Sequence, residues 1–154
     1  MLSIGAMIEL DLRIADPAWE TAIANISEIC QTALNAGAAQ VQATGEVSLL
    51  LTEDAEIQAL NRDWRSKDKP TDVLSFPASE LDAPFLGDIA VSLGVAQADA
   101  ETREIALTQH LSHLLIHGLM HLLGHDHKDD TEAAEMEALE IAALASLGWP
   151  DPYT

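Results

Sequence analysis

The chain has 154 residues, 48% of them hydrophobic, with 26 acidic and only seven basic side chains, for a formal net charge of −19. This describes one globular domain over residues 1–154, large enough for a real core, and argues against disorder. It also excludes a transmembrane helix, because no apolar run is long enough. A surface this acidic repels nucleic acid as a whole. The one cysteine, Cys30, excludes an internal disulfide and suits a reducing, cytosolic setting. Met1–Met7 carries no basic residue before its short apolar stretch, so no signal peptide is expected.

Ile8–Ile14 alternates apolar and polar residues, as a half-buried strand does. Asp16-Pro17 is a helix start, and Trp19, Ile23, Ile26, Cys30, Ala33 and Leu34 follow at helical spacing. Asn35 and Gly37 are the expected stop. Val47–Leu51 suits a buried strand. Thr52–Arg65 reads as a second helix with Ile57, Leu60 and Trp64 on its inner face. Asp72–Phe76 is a strand stopped by Pro77, followed by a loop to Phe85 and a short strand Ile89–Val91 entered through Gly87. Helices are expected from Leu93 to Glu101, from Arg103 to Leu123, and from Asp130-Thr131 to Leu147. Met136, Leu139, Ala143 and Leu147 form the stripe of the last one. Interleaved strands and helices predict an α/β or α+β fold: a small mixed four-stranded sheet surrounded by about five helices.

All six histidines fall between His110 and His127. His117 and His121 are four residues apart, one turn along one helix face. Gly124 can stop the helix and turn the chain so that His127 returns toward them. Three imidazoles with a fourth position open is a catalytic rather than a structural zinc arrangement. Zinc is the default ion, although nickel, copper or iron also fits. His113 is read as packing or supporting the site, with a fourth ligand as the alternative. His125 is the alternative to His127, and His110 is expected on the surface. Asp126 is either a carboxylate that orients a ligand imidazole or a turn residue.

Zinc on three neutral imidazoles keeps its double charge and can activate water near neutral pH or polarise a phosphoryl or carbonyl oxygen. Hydrolysis is therefore the leading reaction class. The spacing His-x3-His-x5-His is also that of metzincin proteases, which carry their glutamate base directly after the first histidine. Here that position is Gly118, which cannot accept a proton. Four of the seven basic residues, Arg62, Arg65, Lys67 and Lys69, lie within eight positions, but Asp63, Asp68 and Asp72 interleave with them. Charge alone favours a solvated helix end and loop there.

Two stretches carry a resemblance to a known family: His113–His127, and Asn61–Pro77 with its Arg65-Ser66-Lys67-Asp68-Lys69-Pro70-Thr71-Asp72 core. Gly87-Asp88-Ile89 and the C-terminal Leu147-Gly148-Trp149 followed by Asp151-Pro152-Tyr153 also fit. The chain resembles the YbeY family, bacterial endoribonucleases of rRNA maturation. The resemblance spans most of the chain beyond residue 45. His125 departs from it, since members often have tyrosine there.

The resemblance implies one Zn2+ ion at His117, His121 and His127, and a catalytic arginine at Arg65 in the same cleft. It implies a cytoplasmic, single-strand-specific endoribonuclease of small-subunit rRNA processing and ribosome quality control. Its expected partners are rRNA precursors and the small ribosomal subunit with its proteins. Arg65 then becomes a phosphate clamp, and Arg62, Lys67 and Lys69 could hold the flanking backbone. Two rivals remain: a non-catalytic ribosome assembly factor with a structural metal, and a metallopeptidase-like hydrolase.

Overall fold

A computed structural model describes residues 7–154. The apolar stretch at the N-terminus lies outside the described residues except for Met7. β1 (Ile8–Ile14) alternates in burial as it does in sequence. Its Ile8, Leu10, Leu12 and Ile14 join the main core. Helices α1 (Ala18–Ala22) and α2 (Ile26–Val41) form the crossover to β2 (Gly45–Thr52), which therefore runs parallel to β1. Helix α3 (Asp54–Arg65) leads to β3 (Val73–Pro77) and then β4 (Phe85–Ser92). β4 inserts parallel to β2 and antiparallel to β3, giving the order β1-β2-β4-β3. The mixed four-stranded sheet is as expected, and β3 is an edge strand, where Pro77 costs no ladder bond.

Helices α4 (Leu93–Arg103), α5 (Leu107–Leu122) and α6 (Asp130–Ser146) complete the chain. α2 and α5 cover one face of the sheet, α3 covers part of the other, and α6 packs on α2 and α5. α5 is buried nearly all round: Leu111, Leu115, Ile116, Leu119 and Met120 are fully enclosed. At roughly 1.5–3 kcal/mol for each such side chain, this helix is the most firmly anchored platform in the fold. A site built on it is held rigidly.

The structure corrects several boundaries. The first predicted helix is two helices, which gives six α-helices among the described residues where about five were expected. Buried Trp19 donates its indole N–H to the carbonyl of Thr52 at 2.9 Å, and the chain breaks at Ile23 in extended conformation. α2 then runs through Asn35 and Gly37 to Val41. Gly37 is not a stop. A Cβ there would come within 3.2 Å of Leu119, so the glycine lets α2 approach α5. Asn35 instead accepts the N–H of Ile8 at 3.2 Å. β4 is longer than Ile89–Val91 because it pairs on both sides. Arg103 closes α4 rather than opening α5, since Glu104 takes a left-handed conformation (φ 57°). Trp64, expected on the inner face of α3, is 71% exposed. Its place inside is taken by Asn61, whose amide donates to the carbonyl of Lys69 at 3.0 Å and ties down the following loop.

Candidate metal centre

His117 and His121 lie one turn apart on α5, and His127 follows the turn beyond it. Gly124 adopts φ 96° there, a conformation costly for other residues. The N–H of His125 closes back on the carbonyl of Met120 at 2.9 Å, which swings the chain over the helix end. As a result the three rings face one another. Nε2 of His117 and Nε2 of His121 are 3.2 Å apart. The ring of His127 lies 6.0 Å from that of His117 and 5.3 Å from that of His121. Together the three offer nitrogens close enough to hold one metal ion.

The residue that organises this group escaped the sequence reading. Glu140 of α6 is fully buried beneath α5. Its Oε2 lies 3.0 Å from Nδ1 of His117, and its Oε1 lies 2.6 Å from Nε2 of His113 and 2.5 Å from the Tyr153 hydroxyl. Burial alone would raise its pKa, but the hydrogen bonds from His113, His117 and Tyr153 outweigh that and hold it at about 2. Being ionised, the carboxylate only accepts, so both imidazoles must donate an N–H to it. His117 is thereby fixed as the tautomer with its Nε2 lone pair free, pointing at His121. A ligand imidazole backed by a carboxylate is the usual support of a metal-binding histidine. Burial pushes the Tyr153 hydroxyl up, and the Glu140 carboxylate pushes it further, so it stays a donor.

His113 therefore spends its Nε2 on Glu140 and supports the site. Asp126 does not orient a ligand ring. Its Oδ1 accepts the backbone N–H of His127 at 2.8 Å and lies 3.9 Å from Nδ1 of that ring, beyond hydrogen-bonding distance. It is a turn residue, and the turn hydrogen bond holds its carboxyl below the ordinary value. Burial, then the neighbouring rings of His117 and His127, lower the pKa of His121 and favour its neutral, ligating form. Glu140 had one signal in the sequence. It stands four residues after Met136 and three before Ala143, on the apolar stripe of α6.

Arg65 ends α3 on one sheet face and reaches round the edge strand. Its guanidinium donates to the carbonyl of Ser75 and sits 5.3 Å from the centre of the Phe76 ring. It thus lines the same cleft as the three histidines, a cavity of about 490 Å³ shared with Val73, Ser75 and His125. Arg62 instead pairs with Asp63 at 3.1 Å on the surface. Gly118 packs against the sheet. A Cβ there would lie 3.1 Å from Ser75 Oγ and 3.2 Å from Ile89, so the position serves close packing of α5 on the sheet. A larger cleft of about 560 Å³ lies on the other sheet face, but no histidine lines it.

A helix-and-turn histidine triad, backed by a buried carboxylate and faced by an arginine, defines a candidate three-imidazole metal centre with room for an anion. Sequence comparison gives the lineage: the family model described as endoribonuclease YbeY matches residues 12–148, and the chain belongs to that family. It is 45% identical to the endoribonuclease YbeY of Paramagnetospirillum magneticum, over 95% of this chain and 96% of that one. It is 44% identical to the protein of the same name from Azorhizobium caulinodans, with the same coverage. A solution structure from Thermotoga maritima shares the fold, with TM-score 0.56, 23% identity and 92% of each chain covered.

Proposed function

We propose that this chain is a single-domain, metal-dependent, single-strand-specific endoribonuclease of small-subunit rRNA maturation. In this reading His117, His121 and His127 hold one zinc ion and Arg65 holds the scissile phosphate. The observation that carries it is the shared cleft. The three ring nitrogens and the Arg65 guanidinium line one cavity on a chain whose relatives are named endoribonucleases. The donor set fits the ion, because three imidazoles suit zinc and Glu140 leaves the His117 Nε2 lone pair free.

When bound, the ion would supply Lewis acidity at the phosphate and a source of nucleophile at neutral pH. The remaining work falls to side chains. Arg65 is preset by the Ser75 carbonyl and the Phe76 ring, so its planar fork can meet two phosphate oxygens with little ordering cost. It would stabilise the charge that develops there. Glu140 and His113 keep the His117 ring from turning as charge moves. With net charge −19 the isolated protein should bind RNA weakly. Delivery by ribosomal proteins in the cytoplasm is therefore part of the proposal. A peptidase is disfavoured, because Gly118 has no side chain to accept a proton where such a protease carries its glutamate.

The test is cleavage of labelled single-stranded and duplex RNA before chelation, after chelation and after zinc is restored. Cleavage of the single strand, lost and then regained, supports the reading. Cleavage indifferent to chelator contradicts it. A 2′,3′-cyclic phosphate end would assign attack to the substrate's 2′-hydroxyl instead of water.

A further inference from the structure

Away from the histidine cleft, side chains from three elements converge. They are Asp72 in the segment entering β3, Asp99 on α4 and His110 on α5, and one ligand atom from each lies within 4.8 Å of the others. His110, expected on the surface, is only 2% exposed, because α5 is enclosed at this end too. Among the described residues, neither of its ring nitrogens has a hydrogen-bond partner. Nε2 faces Oδ2 of Asp99 at 3.8 Å, too far to bond directly. A buried polar group left in this state calls for an occupant such as an ion or water. Burial, and then the Arg103 guanidinium, hold the imidazole below its ordinary pKa, so it is neutral with a lone pair to offer. Asp72 is fixed in place by the N–H of Val73, which donates to its Oδ1 at 2.7 Å. The Asp99 side chain is 44% exposed and leaves a route in from solvent.

From this geometry we propose that Asp72, Asp99 and His110 form a second cation site, which takes a divalent first-row metal ion such as Zn2+ or Mn2+. One imidazole and two carboxylates match ions of that class, and two carboxylate charges balance the ion. Arg103, one turn past Asp99, opposes binding, while the −19 net charge favours it. Ligand atoms on a common ion sit roughly 3.4 Å apart in tetrahedral geometry. Binding therefore draws the three together by about an ångström. The site is separate from the histidine centre: His110 precedes His117 by two turns, about 10 Å along the helix. An ion here would staple α4, α5 and the entry to β3, the strand whose Ser75 carbonyl holds Arg65.

The proposal does not rest on the ribonuclease reading, and Zn2+ alone is the probe. Metal-free protein is dialysed against Zn2+ at physiological salt, and bound metal is counted in wild type, H121A, D99N and the double variant. Circular dichroism checks that each is folded. H121A should keep about one equivalent, and adding D99N should remove it, with affinity lower by roughly 10-fold or more. H110Q in place of D99N should give the same loss. If H121A keeps no zinc, the site does not exist. If it keeps zinc equally with and without Asp99, the metal is adventitious on an acidic surface. Either result overturns the proposal.

Discussion

Oε2 of Glu140 lies 3.0 Å from Nδ1 of His117, so a carboxylate buried on α6 sets the tautomer of an imidazole on α5. The same carboxylate takes His113 and Tyr153 on its other oxygen, so one side chain joins α5, α6 and the C-terminal segment behind the candidate metal centre. Glu140→Gln keeps the shape but puts an N–H where an acceptor is needed. Zinc affinity should fall by about 10- to 100-fold. Stability should fall by about 1–3 kcal/mol, because a buried donor is left facing another. Isothermal titration and urea unfolding would measure the two effects.

Arg65 is held over Phe76 by the Ser75 carbonyl, on the exposed rim of the cleft. Arg65→Ala should therefore leave thermal unfolding nearly unchanged while lowering kcat/KM on single-stranded RNA about 10²- to 10³-fold. Arg65→Lys should recover only part of that loss, since it keeps the charge but not the fork. Steady-state cleavage of a short labelled RNA is the readout.

Gly118 separates packing from chemistry. The Cβ of Gly118→Ala would press on Ile89, a stiff β-branched side chain, at 3.2 Å. The overpacking cost should be offset in part by the better helix propensity of alanine, leaving a change within about 1 kcal/mol. Gly118→Glu places an unpaired carboxylate against the sheet and should cost at least about 3 kcal/mol, with no peptidase activity gained. Denaturant midpoints for the two variants give the comparison.

Cys30 is wholly enclosed by the core, and burial pushes its thiol from the ordinary 9.0 up to about 12. A folded pKa above the unfolded one means the stabilisation is complete below pH 9 and is lost as pH rises toward 12. The gap corresponds to about 4 kcal/mol in all. Wild type should lose stability over that alkaline range, and Cys30→Ala, less stable at neutral pH, should show a flatter profile. Urea midpoints at several alkaline pH values test this.

The sheet and the three histidines were legible because each is a local pattern: alternation in β1, a four-residue spacing and a glycine turn on α5. What escaped depends on partners distant in sequence. Gly37 looks like a helix stop until Leu119 is seen across from it. Trp64 sits at a core spacing on α3, but Asn61 turns inward to hold Lys69 and Trp64 is left on the rim. His110 follows the helical period yet lies where α5 is enclosed on every side, so polarity misjudged its burial. Glu140 reads as one more charge on an acidic helix. Only the apolar residues at 136 and 143 mark it as facing inward. Arg65 reaches the histidines around an edge strand, a route that follows from the strand order β1-β2-β4-β3 and not from any local spacing.

The most direct test of the central claim is cleavage of a labelled single-stranded RNA by zinc-loaded wild type beside His121→Ala, purified identically and shown to be folded. His121 lies in the open cleft, so its loss should spare the fold. Cleavage by wild type with at least about 100-fold less by the variant is the predicted result. Equal cleavage by both proteins, or none by either, would contradict the assignment of ribonuclease chemistry to the three-histidine centre.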